Sequence, residues 1–528
     1  MFISASGVLV VFFVSAVLLN FLDVSVIFNF NPCSAVLNRL EFIFQVDFTT
    51  LICFSMLTSC SLLAFIYCFH YYYNELSGFK LLYLMLWFVL VMFVLVSTGS
   101  PVVSLILWEY LGFVSFLLIL FYSNSSSVRA SLVTLFCSRF GDVGLFVMIA
   151  FLAGLSTNSF IFFFFFLMVV GSKSASFPFI SWLLEAMRAP TPVSSLVHSS
   201  TLVAAGVWFI VRYGYLVSVS FLFVLFVLSL FTIFVTGICA VFFLDLKKVV
   251  ALSTCNNISW CVLYYTCGDE FMVLFQLIVH GVSKCLLFIL VGDLMSTVGG
   301  NQSLLGLYVP RYSGIVYCGL ITVLVFGLCG LPFLGIYFSK HCFFSMFSGG
   351  ILNLFIFVFV LAGFCVSYCY SFRLVLVLCS RVRGINCGYV VSFLFGIFFV
   401  IVGFFISTLL GSSGVELSEL SVLNSVLFLL IQVVGCVAGW LLYNSGVNGW
   451  FWNSVLWGND LLVGIFYSIY SKFLVYTLVG FFRFEVWFCR LINEFFLGFI
   501  STRSHVLTLN FVVLGLVAVT VVGFCVSF

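Results

Sequence analysis

Charge is scarce in this sequence: 19 Lys and Arg and 16 Asp and Glu make up only 7% of 528 residues. A soluble chain is about a quarter charged, so this one could not cover a water-facing surface, and soluble enzymes and nucleic-acid binders are excluded. The net charge of +3 is too small and too dispersed to form a footprint for an anionic polymer. No GxGxxG turn, Walker loop or HExxH helix is present, so the chain is expected to hold neither a nucleotide nor a catalytic zinc. Its 20 cysteines are scattered through apolar runs. The nearest groupings, Cys255, Cys261 and Cys267, and Cys365 with Cys369, match neither a ferredoxin nor a zinc pattern. They read as small hydrophobes, with no metal or cofactor expected; if electrons move, another subunit carries them. Basic residues are absent before Arg39, which removes the charged start of a signal peptide or a basic presequence. The expectation is a retained first helix and synthesis inside an organelle. The 72 Phe against 7 Pro, read as a T- and G-rich coding bias, fit that expectation.

What the chain has instead is apolar length. It is 64% apolar, with a mean hydropathy of +1.35. Segments of about 20 apolar residues, the length that spans a bilayer, recur from end to end. The reading is an all-α polytopic membrane protein of about fifteen helices. Expected spans are Gly7 to Phe28, Phe48 to Tyr73, Lys80 to Val96, Pro101 to Tyr122, Val128 to Leu155, Phe160 to Leu184, Pro190 to Tyr213 and Leu216 to Leu244. They continue with Lys247 to Thr266, Phe271 to Met295, an interrupted Tyr312 to Met346, Ile351 to Cys379, Tyr389 to Leu410, Val422 to Leu442 and Val506 to Phe528. A β-barrel is rejected, because runs such as Ile161 to Val170 do not alternate. The stretch from Gly458 to Arg503 carries more charge, with Arg483, Arg490 and Glu494 on one helical face. It reads as an amphipathic helix along the membrane or as a span with snorkelling ends. The expected divisions are 1–79, a core over 80–380, 381–457, the amphipathic helix over 458–505, and a terminal anchor over 506–528.

A charge at bilayer depth costs about 3 kcal/mol or more, so each one inside an apolar run is a functional hypothesis. Glu109 lies midway along its span with no basic neighbour within four residues and needs a partner from another helix. Lys173 precedes Pro178, which opens the helical backbone beside it, and a buried lysine can hold or release a proton. Lys340 follows a glycine- and proline-weakened stretch in the same way. Two interrupted helices with comparable lysines suggest inverted repeats, as in many transporters. Either lysine could instead snorkel to an interface. His280 and Lys284 share a helical face at i, i+4. Arg139 and Asp142, at i, i+3, can form an internal ion pair, functional or merely structural. Pro190-Thr-Pro-Val-Ser-Ser-Leu-Val-His198 sets hydroxyls and a histidine in an apolar setting and reads as the polar wall of a passage. Asp245, Lys247 and Lys248 cluster at a span boundary, as solvated charge or a topological anchor.

Together these segments resemble the chain 5 family of mitochondrial NADH:ubiquinone oxidoreductase, the antiporter-like subunits of the respiratory complex I membrane arm. The residues carrying the resemblance are Trp108-Glu109, Gly112, Arg139, Gly141-Asp142, Lys173-Ser-Ala, Trp182, Pro190 to Thr201, Asp245-Leu-Lys-Lys248, Ser253, His280, Lys284, Leu331 to Gly335 and Ser339-Lys340. It covers about Phe88 to Arg373. The resemblance implies proton translocation across the mitochondrial inner membrane, coupled to electron transfer from NADH to ubiquinone in other subunits. Those subunits would hold NADH, FMN, iron–sulfur clusters and ubiquinone. Neighbouring membrane-arm subunits, above all an adjacent antiporter-like one, would be the partners, with lipid around and no nucleic acid. By the same resemblance Glu109 and Lys173 form a coupled pair, His198, His280 and Lys284 a central relay, and Lys340 the exit, with Arg139, Asp142 and Asp245 as supporting ion pairs. The long amphipathic segment would be a lateral helix. Departures are His341 where the family has an acid, and Gln276 and Ile180 where it has histidines, so the relay is expected to run partly through water. A cation/proton antiporter shares most of this pattern and is the alternative; a passive scaffold with vestigial charges is a third reading.

Overall fold

The structure is a computed structural model of the 528-residue chain, and it describes residues 26–30, 42–73, 75–154, 160–303, 309–310, 314–332, 334–349, 354–379, 383–384, 422–445, 457–502 and 515. Compact packing divides the chain at Asn459, with a second unit from Asp460 onward.

Uncharged apolar runs satisfy their backbone only as helices when no water is at hand. Among the described residues nine helices are long and apolar enough to cross a membrane. In chain order the first unit holds α1 (Phe48–Tyr71), α2 (Leu76–Val96), α3 (Pro101–Ile119), α4 (Ser125–Gly154), α5 (Phe160–Ser174) and α6 (Ile180–Ala186). There follow α7 (Thr191–Val193), a π-helix (Ser194–Thr201), α8 (Leu202–Tyr213), α9 (Val219–Phe242), α10 (Leu246–Thr266) and α11 (Glu270–Thr297). The unit continues with α12 (Gly314–Cys329), α13 (Tyr337–Gly349), α14 (Leu354–Leu378) and α15 (Val422–Asn444). The boundary falls within the first turn of α16 (Trp457–Thr502), one unbroken helix of 46 residues and about 70 Å whose remainder represents the second unit. The expected spans Tyr389 to Leu410 and Val506 to Phe528 lie outside the described residues, apart from Gly515.

The first expected span is corrected at its end. Most of Gly7 to Phe28 lies outside the described residues, but Val26–Phe30 is a strand, β1, paired antiparallel with β2 (Phe42–Val46). Branched and aromatic side chains serve a strand as well as a helix, so an apolar run alone does not separate the two. β2 also docks on the turn after α2, where Gly99 N–H donates to Ile43 O at 2.8 Å and Gln45 N–H to Ser97 O at 2.8 Å. A two-residue parallel pair joins β3 (Val309–Pro310) to β4 (Arg383–Gly384).

Two expected spans are broken in mid-course. Phe160 to Leu184 becomes α5 and α6, separated where Ala175 takes a left-handed φ of 54°. The freed Ala175 carbonyl accepts the Cys255 thiol at 3.0 Å. Tyr312 to Met346 becomes α12 and α13, separated by a turn in which Gly330 and Gly335 have φ of 80° and 51°. These are conformations that glycine adopts without a Cβ penalty. A third distortion, the π-helix, lies between the Pro190/Pro192 start and α8; π-turns recur at functional sites. The packed centre of the unit is α10, most of whose residues are buried although it carries Asn256, Asn257, Ser253 and Ser259.

Candidate functional site

Lys173 sits in the last turn of α5, just before the break, and is 1% exposed. Its ammonium lies 5.3 Å from the centre of the Trp108 ring and has no hydrogen-bond partner among the described residues. Asp142, Arg139 and Glu109 all act on it electrostatically, Asp142 most strongly. The partner Glu109 needs from another helix is Arg139 of α4, at 3.4 Å, rather than Lys173 itself. The same Arg139 Nη1 reaches Asp142 at 3.1 Å, so the i, i+3 pair of the sequence is part of a triad spanning α3 and α4. Asp142 is buried, whereas the Glu109 side chain is 37% exposed. Next to Asp142, Gly141 lets α4 pack closely on α5, since a Cβ there would meet the Ser172 hydroxyl.

A small cavity of about 10 Å³, the room of a single water, is lined by both Lys173 and His198 together with Ser115, Thr134, Ser138, Ser172 and Trp182. His198 is fully buried in the π-helix, against the edge of Trp182, and neither ring nitrogen has a partner among the described residues. Around it the Ser195, Ser199, Ser200 and Thr201 hydroxyls turn back onto carbonyls of their own helix.

His280 and Lys284 are both buried on α11, on the shared face their spacing requires. Lys284 donates to the Ser253 hydroxyl and to Val250 O at 3.2 Å, both on α10. Gln276, one turn before His280, extends this polar line: its amide donates to Asn257 O at 3.2 Å, and its carbonyl accepts the Ser339 hydroxyl of α13 at 2.7 Å. A glutamine in place of a histidine keeps a hydrogen-bonded connection between α10, α11 and α13 but cannot itself carry charge. Beside it the Asn257 side chain is buried with both polar atoms unpartnered among the described residues.

Lys340 follows the second break. It is fully buried, donates to Cys329 O at 2.8 Å and Ser367 Oγ at 2.9 Å, and lies against the rings of Tyr368, Phe364 and Trp260 at 4.8, 5.4 and 5.9 Å. Cys329 O is a carbonyl released by the break, and the adjacent Gly330 O accepts the Tyr368 hydroxyl at 2.9 Å. His341 points elsewhere, half-buried against Tyr337 and Phe428.

The boundary cluster divides. Asp245 pairs with Lys248 at 3.1 Å, both about two-fifths exposed, as solvated charge should be. Lys247 departs from that reading: it is buried and donates to Ala189 O, the carbonyl preceding Pro190, at 3.3 Å. Sequence reasoning also missed Arg212, which reaches Asp47 at 2.8 Å and Thr98 O at 3.2 Å and so ties α8 to the start of α1. The two partners are 165 residues apart, beyond the reach of any local pattern.

Residues 99–365 match the family described as NADH:quinone oxidoreductase/Mrp antiporter, TM. The chain is 31% identical over 447 residues to NADH-ubiquinone oxidoreductase chain 5 of Anopheles quadrimaculatus, covering 78% of this chain and 76% of that one. It is 34% identical over 300 residues to the protein of the same name from Apis mellifera ligustica, covering 55% and 54%. Among solved structures, the Mrp complex from Dietzia sp. DQ12-45-1b aligns over 98% of this chain and 59% of that one, with a TM-score of 0.62 at 19% identity. The archaeal membrane-bound sulfane sulfur reductase, a respiratory membrane complex, aligns over 81% and 93%, with a TM-score of 0.66 at 16% identity. These two likenesses are of fold; the sequence matches carry the assignment, and by them the chain belongs to the NADH-ubiquinone oxidoreductase chain 5 family, within the NADH:quinone oxidoreductase/Mrp antiporter membrane proteins.

Proposed function

We propose that this chain is a proton-translocating, antiporter-like subunit of a respiratory NADH-ubiquinone oxidoreductase in the mitochondrial inner membrane. Electron transfer, with NADH, FMN, iron–sulfur clusters and ubiquinone, would take place in other subunits, and a neighbouring antiporter-like subunit would be its partner. The observation that carries the reading is the hydroxyl-lined cavity joining Lys173 to His198 beside the Glu109–Arg139–Asp142 triad. The buried Lys173 ammonium has no hydrogen bond among the described residues, and burial opposes its charge while Asp142 and Glu109 favour it and Arg139 opposes it, so its proton answers to those neighbours.

The chemistry is a change of charge state with no covalent step. When Glu109 or Asp142 is negative, the Lys173 ammonium is stabilised; when a proton or a moving countercharge cancels that field, the ammonium is disfavoured and its proton passes into the cavity. There the serine and threonine hydroxyls, each both donor and acceptor, lead to His198. His280 and Lys284 continue the relay, and the Gln276–Ser339 bond marks the way toward Lys340. Lys340, solvated by a carbonyl, a hydroxyl and three rings, is the terminal holder. The Asp245–Lys248 pair fixes the start of α10, and α16 is the lateral helix.

The test is proton translocation driven by NADH oxidation in sealed inner-membrane vesicles, with a quinone-site inhibitor as control and the chain immunodetected in the purified complex. Co-purification with inhibitor-sensitive pumping supports the reading. Absence from the complex, with sodium/proton exchange that needs no NADH, would replace it with a cation/proton antiporter.

A further inference from the structure

At one end of the first unit a pair of groups stands outside the lysine path. His70, in the last turn of α1, has Nε2 3.7 Å from Asp293 Oδ1 near the end of α11. His70 is 40% exposed and Asp293 only 3%, so the pair leads from surface to interior. One turn inward, the Tyr67 hydroxyl meets the Thr191 hydroxyl of α7 at 3.2 Å. Gly292, next to Asp293, lets the Tyr67 hydroxyl come close to α11: a Cβ there would run into it and the phenol would have to shift.

The same seam between α1, α11 and the π-helix stays polar further in. The Cys60 and Cys285 thiols face each other, with Ser200 beside the first and Ser195 beside the second. Ser200 in turn packs on Gly281, where a Cβ would stand 3.5 Å from its own; that glycine adjoins His280 and lies one turn from Lys284. Between these two levels α1 is apolar from Leu62 to Ile66 and α11 from Leu286 to Gly292, and the exchangeable groups along the seam come from the third wall, where Thr191, Ser195 and Ser199 follow at successive turns.

We propose that His70 and Asp293 form a proton portal, and that the seam through Tyr67 and Thr191 is a second conducting branch joining that end of the molecule to the central His280–Lys284 pair. In it His70 exchanges protons with water, Asp293 receives them in the interior, and the Tyr67 hydroxyl hands them on by rotating between Asp293 and Thr191. The proposal rests on the proton-translocating reading above and adds a route that the lysine path does not contain.

The experiment compares Asp293→Asn, Asp293→Glu and Tyr67→Phe in the assembled complex, with Lys173→Met as reference, measuring the rate of proton translocation during NADH oxidation and its dependence on pH. Expected is a fall of about 10²-fold in Asp293→Asn, the scale on which a positioned proton-transfer group acts, with recovery and a shifted pH profile in Asp293→Glu. Tyr67→Phe, which deletes one oxygen atom, falls as well and decides the matter if Asp293→Asn fails to assemble. Parental pumping in both Asp293→Asn and Tyr67→Phe, with pumping lost in Lys173→Met, overturns the portal and leaves the functional reading standing. Parental pumping in Lys173→Met as well would overturn that reading itself.

Discussion

The two broken helices each bury a lysine, and they bury it differently. Lys173 stands before its break, without a hydrogen bond among the described residues, in the field of Asp142, Arg139 and Glu109. Lys340 stands after its break, held by Cys329 O, Ser367 Oγ and three rings; among the described residues no carboxylate pairs with it. The first ammonium is balanced by charges that can change, the second by neutral groups that cannot. Repeated architecture therefore does not imply repeated chemistry: one lysine is placed to respond, the other to hold.

The sharpest way to break this comparison is Lys173→Met, which removes the responsive charge. It should abolish NADH-driven proton translocation while the complex still assembles, as judged by native gel and immunodetection; normal pumping would sink the assignment. Glu109→Gln should follow with a partial loss, because Asp142 and Arg139 remain to act on Lys173. A pumping rate indistinguishable from the parent would favour the vestigial-scaffold reading. Gly335→Ala tests the second break rather than its lysine. Its φ of 51° and a Cβ 2.7 Å from Gly327 O should destabilise the chain by about 1–3 kcal/mol, read as a lowered melting midpoint or less assembled complex. Ser367→Ala should have the smallest effect. It removes one of the two hydrogen bonds to Lys340, worth about 1.5 kcal/mol for a charged donor, hence roughly tenfold or less in pumping. A loss as complete as that of Lys173→Met would show that the two lysines do not differ as described.

Much of the site was legible because burial of charge in an apolar run is itself a signal. Lys173, His198, His280, Lys284 and Lys340 were each found in the interior, and the Arg139–Asp142 pair formed at its helical spacing. Less legible was anything that depends on a neighbour from another helix. Nothing near Lys247 announces that it will turn inward to the Ala189 carbonyl, since that acceptor is freed only by the prolines of another segment. Nothing near Glu109 names Arg139 as its partner, and the Arg212–Asp47 pair and the β1–β2 hairpin escaped for the same reason.

By itself the sequence determined that this chain belongs in a bilayer, that it is built of helices, where two of them break, and which few side chains carry charge into the interior. Those outcomes follow from composition and local backbone chemistry, because a long uncharged segment in hydrocarbon satisfies its own backbone most simply as a helix and a proline or glycine weakens one. Only the tertiary structure decided which charges meet: the joining of Glu109 with Arg139 and Asp142, the cavity between Lys173 and His198, the neutral cradle of Lys340 and the seam at Asp293. Electrostatic interaction in a low-dielectric interior depends on separations of a few ångströms, and packing sets those separations between residues far apart in the chain.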